Sequence, residues 1–163
     1  MSETRRAGEP RALAAERLYL EDLYVGQRFV SPGRAISAAE IKAFAGEFDP
    51  QPFHLDETAA EGSFFSGLAA SGWHTAALTM RLLVEGGLPI AGGVIGAGGE
   101  IRWPRATRPG DVLHVECAIE SIAPSRSRPD RGMLTVRIET KNQDGVTAQE
   151  LVASVLAFRR PGP

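Results

Sequence analysis

The sequence has very little of several features that would identify common classes of protein. Cys117 is the one cysteine among 163 residues, which excludes a disulfide within these residues and a cysteine-rich metal site. No apolar run approaches the roughly 20 residues needed to span a bilayer, so we expect no membrane partner. The N-terminal stretch MSETRRAGEPRALAAER lacks the apolar core of a secretory signal. We therefore expect a flexible N-terminal arm over residues 1–17 and a cytoplasmic location.

A strong charge of either sign is also lacking. The formal net charge is −2 and the basic residues are scattered along the chain, so we expect no nucleic-acid partner. The three histidines form neither H-x-H nor HExxH, and we expect no metal site. Gly92-Gly93 and Gly98-Gly99 lie before and within a predicted strand, whereas the glycines of a dinucleotide site join a strand to a helix. The length suits one domain, which we place at residues 18–160.

Hydrophobic patterns predict two helices of different character. Ser37 and Glu40 fit a capping box, and apolar residues follow at helical spacing until about Glu47, ahead of two prolines. The second helix runs from about Gly72 to Glu85, and its sequence WHTAALTMRLLVE is apolar on nearly every side. A helix without a polar face is buried in protein or membrane, and this one is too short for a membrane. We therefore expect a sheet wrapped around it.

Alternation of apolar and polar residues predicts that sheet. Four runs after Gly92 have the pattern of strands, at residues 94–103, 111–122, 132–141 and 146–158. Asp144-Gly145 between the last two runs favours a hairpin turn, and Cys117 within an alternating run favours a buried, inert thiol. Before the first helix, LYLEDLYVGQRFV predicts a short strand, a turn at Gly26 and a second extended segment. The fold class is α+β, an antiparallel β-sheet wrapped around a long central α-helix.

The stretch FDPQPFHLD places an acid and a histidine five positions apart, with two prolines between them. Asp49 and His54 could divide proton transfers as base and acid, and an imidazole titrates near neutral pH. The spacing alone equally suits a turn residue and a hydrogen-bonded loop residue. Both prolines favour an extended, irregular loop here, after which Asp56 is placed to cap a short helix.

Ser71-Gly72 supplies a second possible element of a site. Backbone N–H groups at a helix N-terminus can stabilise an oxyanion, and glycine lets a ligand approach the backbone closely. The alternative is that Ser71 is only an N-cap and that Gly72 only relieves crowding. A base, an acid and an oxyanion donor together indicate chemistry next to a carbonyl group without specifying the reaction.

Three segments, FAGEFDPQPFHLDETAA, FFSGLAASGWHT and IRWPRATRPGDVL, resemble the MaoC-like dehydratase family, which includes the (R)-specific enoyl-CoA hydratases. The resemblance extends from about Leu18 to Phe158. It implies the hotdog fold, a homodimer or higher homo-oligomer, and a substrate tunnel near the subunit interface. The motif D-x-N-P-hydrophobic-H-x-D is present with Gln51 in place of the usual Asn, and Ser71 stands where a His is often found.

The resemblance also implies an activity and roles for individual residues. The protein would be a hydro-lyase of fatty acid metabolism that interconverts a trans-2-enoyl-CoA and an (R)-3-hydroxyacyl-CoA. Asp49 and His54 would handle the water and the Cα proton, and the N–H of Gly72 would hold the thioester oxygen. No metal or redox cofactor would be required, since the coenzyme A thioester is the substrate. The expected substrate-binding residues are Gln51, Phe53, Ser71, Trp73, Arg102 and Arg105, with Arg108 as a further candidate for coenzyme A.

Two other functions are compatible with a hotdog fold. One is an acyl-CoA thioesterase, although hydrolases of this fold generally lack the D-x4-H loop. The other is a non-catalytic acyl-CoA-binding protein, against which the presence of both Asp49 and His54 argues.

Overall fold

The computed structural model describes residues 16–163, so all but the last two residues of the predicted N-terminal arm lie outside the described part of the chain. The helices are α1 (Ala38–Phe48), α2 (Pro52–Leu55), α3 (Glu57–Glu61) and α4 (Gly72–Leu82). The strands are β1 (Arg28–Val30), β2 (Arg34–Ala35), β3 (Ile95–Arg102), β4 (Val112–Pro124), β5 (Arg131–Lys141) and β6 (Thr147–Phe158). Within residues 16–163 no helix is both long and apolar enough to cross a membrane.

The described strands form one antiparallel sheet with the order β1-β4-β5-β6-β3, and β2 pairs with β4 beside β1. The four strands predicted after Gly92 are confirmed to within two residues at each end. Asn142 closes the β5–β6 hairpin, where its C=O accepts from the N–H of Gly145 at 3.0 Å. Side chains alternate along the long strands, and those facing the helices form the core, including Val115, Cys117 and Ile138.

The central helix α4 packs on the sheet through only part of its surface. Leu78 and Leu82 are buried in the core, and a π-helical turn extends the helix over Leu83–Gly87. On the opposite side an apolar stripe is exposed, with Trp73 at 61%, Met80 at 43% and Val84 at 49% of their full accessible surface. The prediction that this helix is buried on nearly every side is therefore wrong for the single chain, because the sheet covers one side only.

Two local predictions are also wrong. The short strand expected before Gly26 is replaced by a 3₁₀ turn over Leu20–Asp22, with a single bridge from Leu18 to Ile90. The irregular loop expected after Asp49 contains the one-turn helix α2, which begins at Pro52. Proline is well tolerated at the first position of a helix, because the N–H it lacks would have no intrahelical partner there. The same prolines that suggested a loop therefore start a helix.

Helix caps are where the sequence predicted them. The Ser37 hydroxyl accepts from the N–H of Glu40 at 3.1 Å, and the Glu40 carboxylate accepts from the N–H of Ser37 at 2.9 Å. Asp56 caps α3 by accepting from the N–H of Ala59 at 2.8 Å. The first of these caps sets where α1 begins, and α1 then ends at Phe48, directly before Asp49, the first residue of the candidate site.

Close packing at the end of the central helix makes one glycine sensitive to substitution. A Cβ on Gly87 would lie 2.4 Å from Cγ2 of Val115 and 3.0 Å from the Leu82 carbonyl oxygen. We expect Gly87→Ala to lower the free energy of unfolding by about 1–3 kcal/mol, the usual cost of overpacking. Urea unfolding followed by circular dichroism measures this. The matched control is Gly46→Ala within α1, where the nearest atom lies at 4.0 Å and alanine should be neutral or stabilising; equal effects of the two changes would contradict the packing argument.

Candidate active site

The segment from the end of α1 to α2 brings the predicted acid and histidine into contact. Asp49 is the C-cap of α1, and α2 turns the chain so that His54 faces back toward it. His54 Nε2 lies 3.3 Å from Asp49 Oδ2, with the His54 side chain 5% exposed and that of Asp49 18% exposed. Five positions of sequence separation therefore become a direct contact, because one turn of helix folds the segment onto itself.

The hydrogen bonds of His54 define its protonation pattern. Nδ1 lies 2.6 Å from the carbonyl oxygen of Ala69, which can only accept, so Nδ1 carries a hydrogen. A neutral ring then has its lone pair at Nε2, the nitrogen that faces Asp49. The Asp49–Nε2 contact is attractive when a proton lies between the two groups. The pair can therefore exchange a proton through Nε2 while the backbone holds the ring in place.

Asp49 is held in its ionised form. Burial by itself raises the pKa of this carboxyl, but hydrogen bonds from Ser71 and Gln51 and the neighbouring His54 outweigh burial and leave the pKa below its usual value. The Gln51 amide donates to Asp49 Oδ1 at 2.7 Å. The carboxylate is consequently available as a proton acceptor at neutral pH.

We expect a carbon-13 NMR titration of the Asp49 carboxyl to show a midpoint below about 3.9, the ordinary value for Asp. Because the folded pKa is depressed, the stability contributed by ionised Asp49 is present above its unfolded pKa and is lost as pH falls through the folded pKa. Ser71→Ala removes one donor and should move the midpoint upward. A midpoint that does not move in this variant would show that Ser71 does not stabilise the carboxylate.

The N-terminus of the central helix lies beside this pair. Ser71 is fully buried and caps α4, where its hydroxyl accepts from the N–H of Trp73 at 3.3 Å. The N–H groups of His74 and Thr75 both bond to the Ser71 carbonyl, whereas the N–H of Gly72 has no partner among residues 16–163. An unpaired N–H at a helix N-terminus is a donor for an oxyanion.

A cavity of about 260 Å³ is lined by both His54 and Gly72. Its wall includes two of the predicted catalytic residues, His54 and Gly72, and one predicted substrate-binding residue, Arg105. Asp49 is not part of the wall and contacts it through His54. The remaining wall residues were not predicted from the sequence: Phe64, Phe65, Ala70, Thr75, Trp103, Ala106 and Thr107. Two sequence features could have indicated these wall residues. One is the aromatic pair Phe64-Phe65 before Ser66-Gly67, and the other is Trp103 between two arginines.

The three arginines proposed for coenzyme A separate in the structure. Arg105 lines the cavity, and no protein group pairs with it among the described residues. Arg102 lies on the face of the sheet opposite the helices and pairs with Glu100, away from the cavity. Arg108 donates to the backbone carbonyls of Phe65 at 2.5 Å, Gly67 at 2.9 Å and Leu68 at 3.3 Å, and so holds that loop. Only Arg105 remains placed for a ligand.

The other predicted binding residues support the site from outside the cavity wall. Phe53 stacks edge-on against the His54 ring, with ring centres 4.6 Å apart. Gln51 bonds to Asp49, and Ser71 helps to lower the pKa of that carboxyl. Trp73 lies on the exposed stripe of α4, with its ring centre 5.2 Å from that of Trp103.

The remaining reactive group, the thiol of Cys117, is buried in the core as predicted. Burial raises its pKa to about 12, which leaves it protonated and unreactive at neutral pH. It lies on β4 with its side chain among core residues, so it takes no part in the cavity.

Comparison with known proteins identifies the family. The model of the MaoC-like domain matches residues 23–142. The chain belongs to the MaoC-like dehydratase family. A solved MaoC-like dehydratase from Rhodospirillum rubrum is 63% identical with a TM-score of 0.88, over 89% of this chain and 99% of that one. The uncharacterised protein YdeM of Bacillus subtilis (strain 168) is 36% identical over 86% of this chain and 99% of its own length.

A structural relative with a stated activity is the unliganded R-hydratase PhaJ1 of Pseudomonas aeruginosa. It is 25% identical with a TM-score of 0.70, over 88% of each chain. Together with the Rhodospirillum structure it confirms the predicted hotdog fold, an antiparallel sheet packed on a central helix. The family match covers Asp49, His54 and Gly72, so these residues lie within the shared domain.

Proposed function

We propose that this protein is a hydro-lyase that interconverts a trans-2-enoyl-CoA and an (R)-3-hydroxyacyl-CoA. The observation that carries the proposal is the Asp49–His54 contact beside the unpaired N–H of Gly72, with His54 and Gly72 both on the wall of one cavity. Membership in a dehydratase family and likeness to an R-hydratase support a hydratase-type reaction. The acyl-CoA substrate, the cytoplasmic location and a role in fatty acid metabolism are parts of the same proposal.

The reaction needs an electrophilic β-carbon and an activated water. The N–H of Gly72 donates to the thioester oxygen, which draws electron density from the Cα=Cβ bond. The Asp49–His54 pair takes a proton from water as the water oxygen bonds to Cβ. The electron pair of the double bond moves toward the thioester, and Cα then takes a proton from the Asp49–His54 pair. Dehydration is the same sequence in reverse, so the residues serve both directions.

Coenzyme A would be held mainly by its pantetheine and phosphate groups. Arg105 is the cation at the cavity and can bond to a phosphate. Neither a metal nor a redox cofactor has a step in this reaction, because the thioester itself supplies the acidity at Cα.

A homodimer is part of the proposal. Trp73, Met80 and Val84 form an exposed apolar stripe on α4, and the outer edge of β3 has no strand partner among residues 16–163. An unpaired edge strand beside an apolar stripe is suited to pairing with a second copy. Such pairing would extend the sheet and cover the side of α4 that the single chain leaves exposed.

We expect size-exclusion chromatography with light scattering to give twice the mass of the chain, and Met80→Asp to shift it to the single-chain mass. A carboxylate in an apolar interface loses hydration without gaining a partner. Val25→Asp is the matched control, since Val25 is 60% exposed in a turn away from the stripe. Dissociation by both changes, or by neither, would argue against this interface.

One assay tests the activity. The protein is incubated with crotonyl-CoA and longer trans-2-enoyl-CoAs, and enoyl absorbance and free thiol are followed separately. We expect absorbance to fall without thiol release, with the product identified as the (R)-3-hydroxyacyl-CoA by chiral chromatography. Thiol release would instead indicate a thioesterase, and binding without turnover of any thioester would indicate a non-catalytic acyl-CoA-binding protein.

A further inference from the structure

A tryptophan packs against Gly72, the residue whose N–H is the candidate oxyanion donor. A Cβ on residue 72 would be 2.8 Å from both Cδ2 and Cε2 of Trp103, so the indole packs against the backbone of Gly72. The indole also lines the cavity and is 40% exposed. A thioester bonded to the N–H of Gly72 would therefore lie next to this ring.

A buried chain of hydrogen bonds fixes the orientation of that ring. Trp103 Nε1–H donates to Gln149 Oε1 at 2.9 Å, and Gln149 Nε2 donates to Thr79 Oγ1 at 3.0 Å. Thr79 donates to the Thr75 carbonyl at 2.9 Å and shares a 2.6 Å bond with the Thr140 hydroxyl. Because indole N–H can only donate, Gln149 has one possible amide orientation in this chain.

The burial and hydrogen bonds of Gln149 indicate a role beyond filling space in the core. Its side chain is fully buried on β6 between the sheet and α4, where a leucine of similar size would also fill space. A buried amide costs free energy unless both its ends are bonded, and both ends here are bonded. The result is an indole whose rotation is restricted by the interior of the protein.

We propose that Trp103, oriented by Gln149, is the wall that limits the acyl group to short chains. This inference rests on the proposed function and specifies the substrate of the same site. Trp103 lines the cavity together with His54 and Gly72, so its ring takes up space beside the reacting groups. Trp103 determines specificity, and Gln149 is a positioning residue that acts through it.

The first test compares kcat/KM for trans-2-octenoyl-CoA with that for crotonyl-CoA. We expect the wild type to prefer crotonyl-CoA, and Trp103→Ala to raise the octenoyl-to-crotonyl ratio by about 10-fold or more, the scale on which added methylenes are discriminated. Trp103→Phe should raise the octenoyl-to-crotonyl ratio by a smaller factor. This variant replaces Trp103→Ala in the test if the alanine variant does not fold. A wild type that prefers octenoyl-CoA, or folded variants with an unchanged ratio, would overturn the proposal.

The second test asks whether Gln149 acts through Trp103. Gln149→Leu should raise the octenoyl-to-crotonyl ratio in the wild-type background and should add nothing in the Trp103→Ala background. Gln27→Leu is the matched control, because Gln27 accepts one backbone N–H in a turn and is not part of the cavity wall. Equal shifts of the ratio in both backgrounds would show that Gln149 acts independently of Trp103.

Binding of unreactive analogues separates this inference from the proposed activity. Calorimetric titration with butyryl-CoA and octanoyl-CoA needs no turnover. We expect Trp103→Ala to improve octanoyl-CoA binding relative to butyryl-CoA by about the same 10-fold factor. If no enoyl-CoA is hydrated but this affinity ratio shifts, the proposed hydratase activity is wrong and the role of Trp103 in limiting chain length is supported. If enoyl-CoA is hydrated but neither the kinetic ratio nor the affinity ratio shifts, the proposed role of Trp103 is wrong and the hydratase activity is supported.

Discussion

Replacing His54 by alanine should lower kcat for enoyl-CoA hydration by roughly 100- to 10,000-fold, the range that a positioned general acid or base contributes. The imidazole lies on the cavity wall, and its Nε2 is the atom that contacts Asp49. Alanine removes the proton carrier without adding bulk. Steady-state kinetics with crotonyl-CoA measures the effect, and thermal unfolding shows whether the variant is folded.

His114→Ala is the matched control for that change. His114 lies on β4, where its Nε2 is 3.3 Å from Glu116 on the face of the sheet away from the core. Loss of a partly exposed contact of this kind changes stability little. We expect wild-type kcat in this variant. Substantial activity in a folded His54→Ala protein would remove His54 from the mechanism.

Replacing Asp49 by asparagine should have an effect of similar size, roughly 100- to 10,000-fold on kcat. Asparagine has nearly the same shape, but it carries no charge and cannot accept the proton from water or from His54. Because the pKa of Asp49 is held below its usual value, the carboxylate that the variant lacks is the form present in the wild type at neutral pH. The same kinetic assay measures the loss.

Asp56→Asn is the control for this second change. Asp56 belongs to the same sequence motif, but its carboxylate caps α3 through the N–H of Ala59. Asparagine is as good an N-cap as aspartate, so stability and turnover should both stay near wild type. Similar losses in the Asp49 and Asp56 variants would mean that turnover depends on general charge in this segment and not on a specific proton acceptor.

Much of the candidate site could be predicted because its residues are close in sequence. Asp49 and His54 meet across a single helical turn, and Ser71 and Gly72 are adjacent at one helix N-terminus. Local rules of capping and helix termini are sufficient for such features. The prolines show the limit of those rules, since Pro52 was expected to keep the segment irregular and instead occupies the first position of α2.

The wall of the cavity could not be predicted in this way. Trp103 lies 31 positions after Gly72 and is held by Gln149, 46 positions further along the chain. The sequence does not distinguish the three arginines proposed for coenzyme A. In the structure Arg102 pairs with Glu100 on the far face of the sheet, Arg105 lines the cavity and Arg108 holds a loop. Which of them faces a ligand depends on strand register and on the turn that follows β3.

The sequence by itself determined the α+β class, the four long strands and the helix caps, and it singled out Asp49 and His54 as candidates. These follow from periodicity and from contacts within a few residues, where the backbone geometry of one element dictates the result. Only the tertiary structure decided that α4 keeps an exposed apolar stripe, that Gly72 and His54 line one cavity, and that Trp103 packs against Gly72. Those relations depend on how the sheet packs against the helix, and no local pattern encodes the distance between residues that only packing brings together.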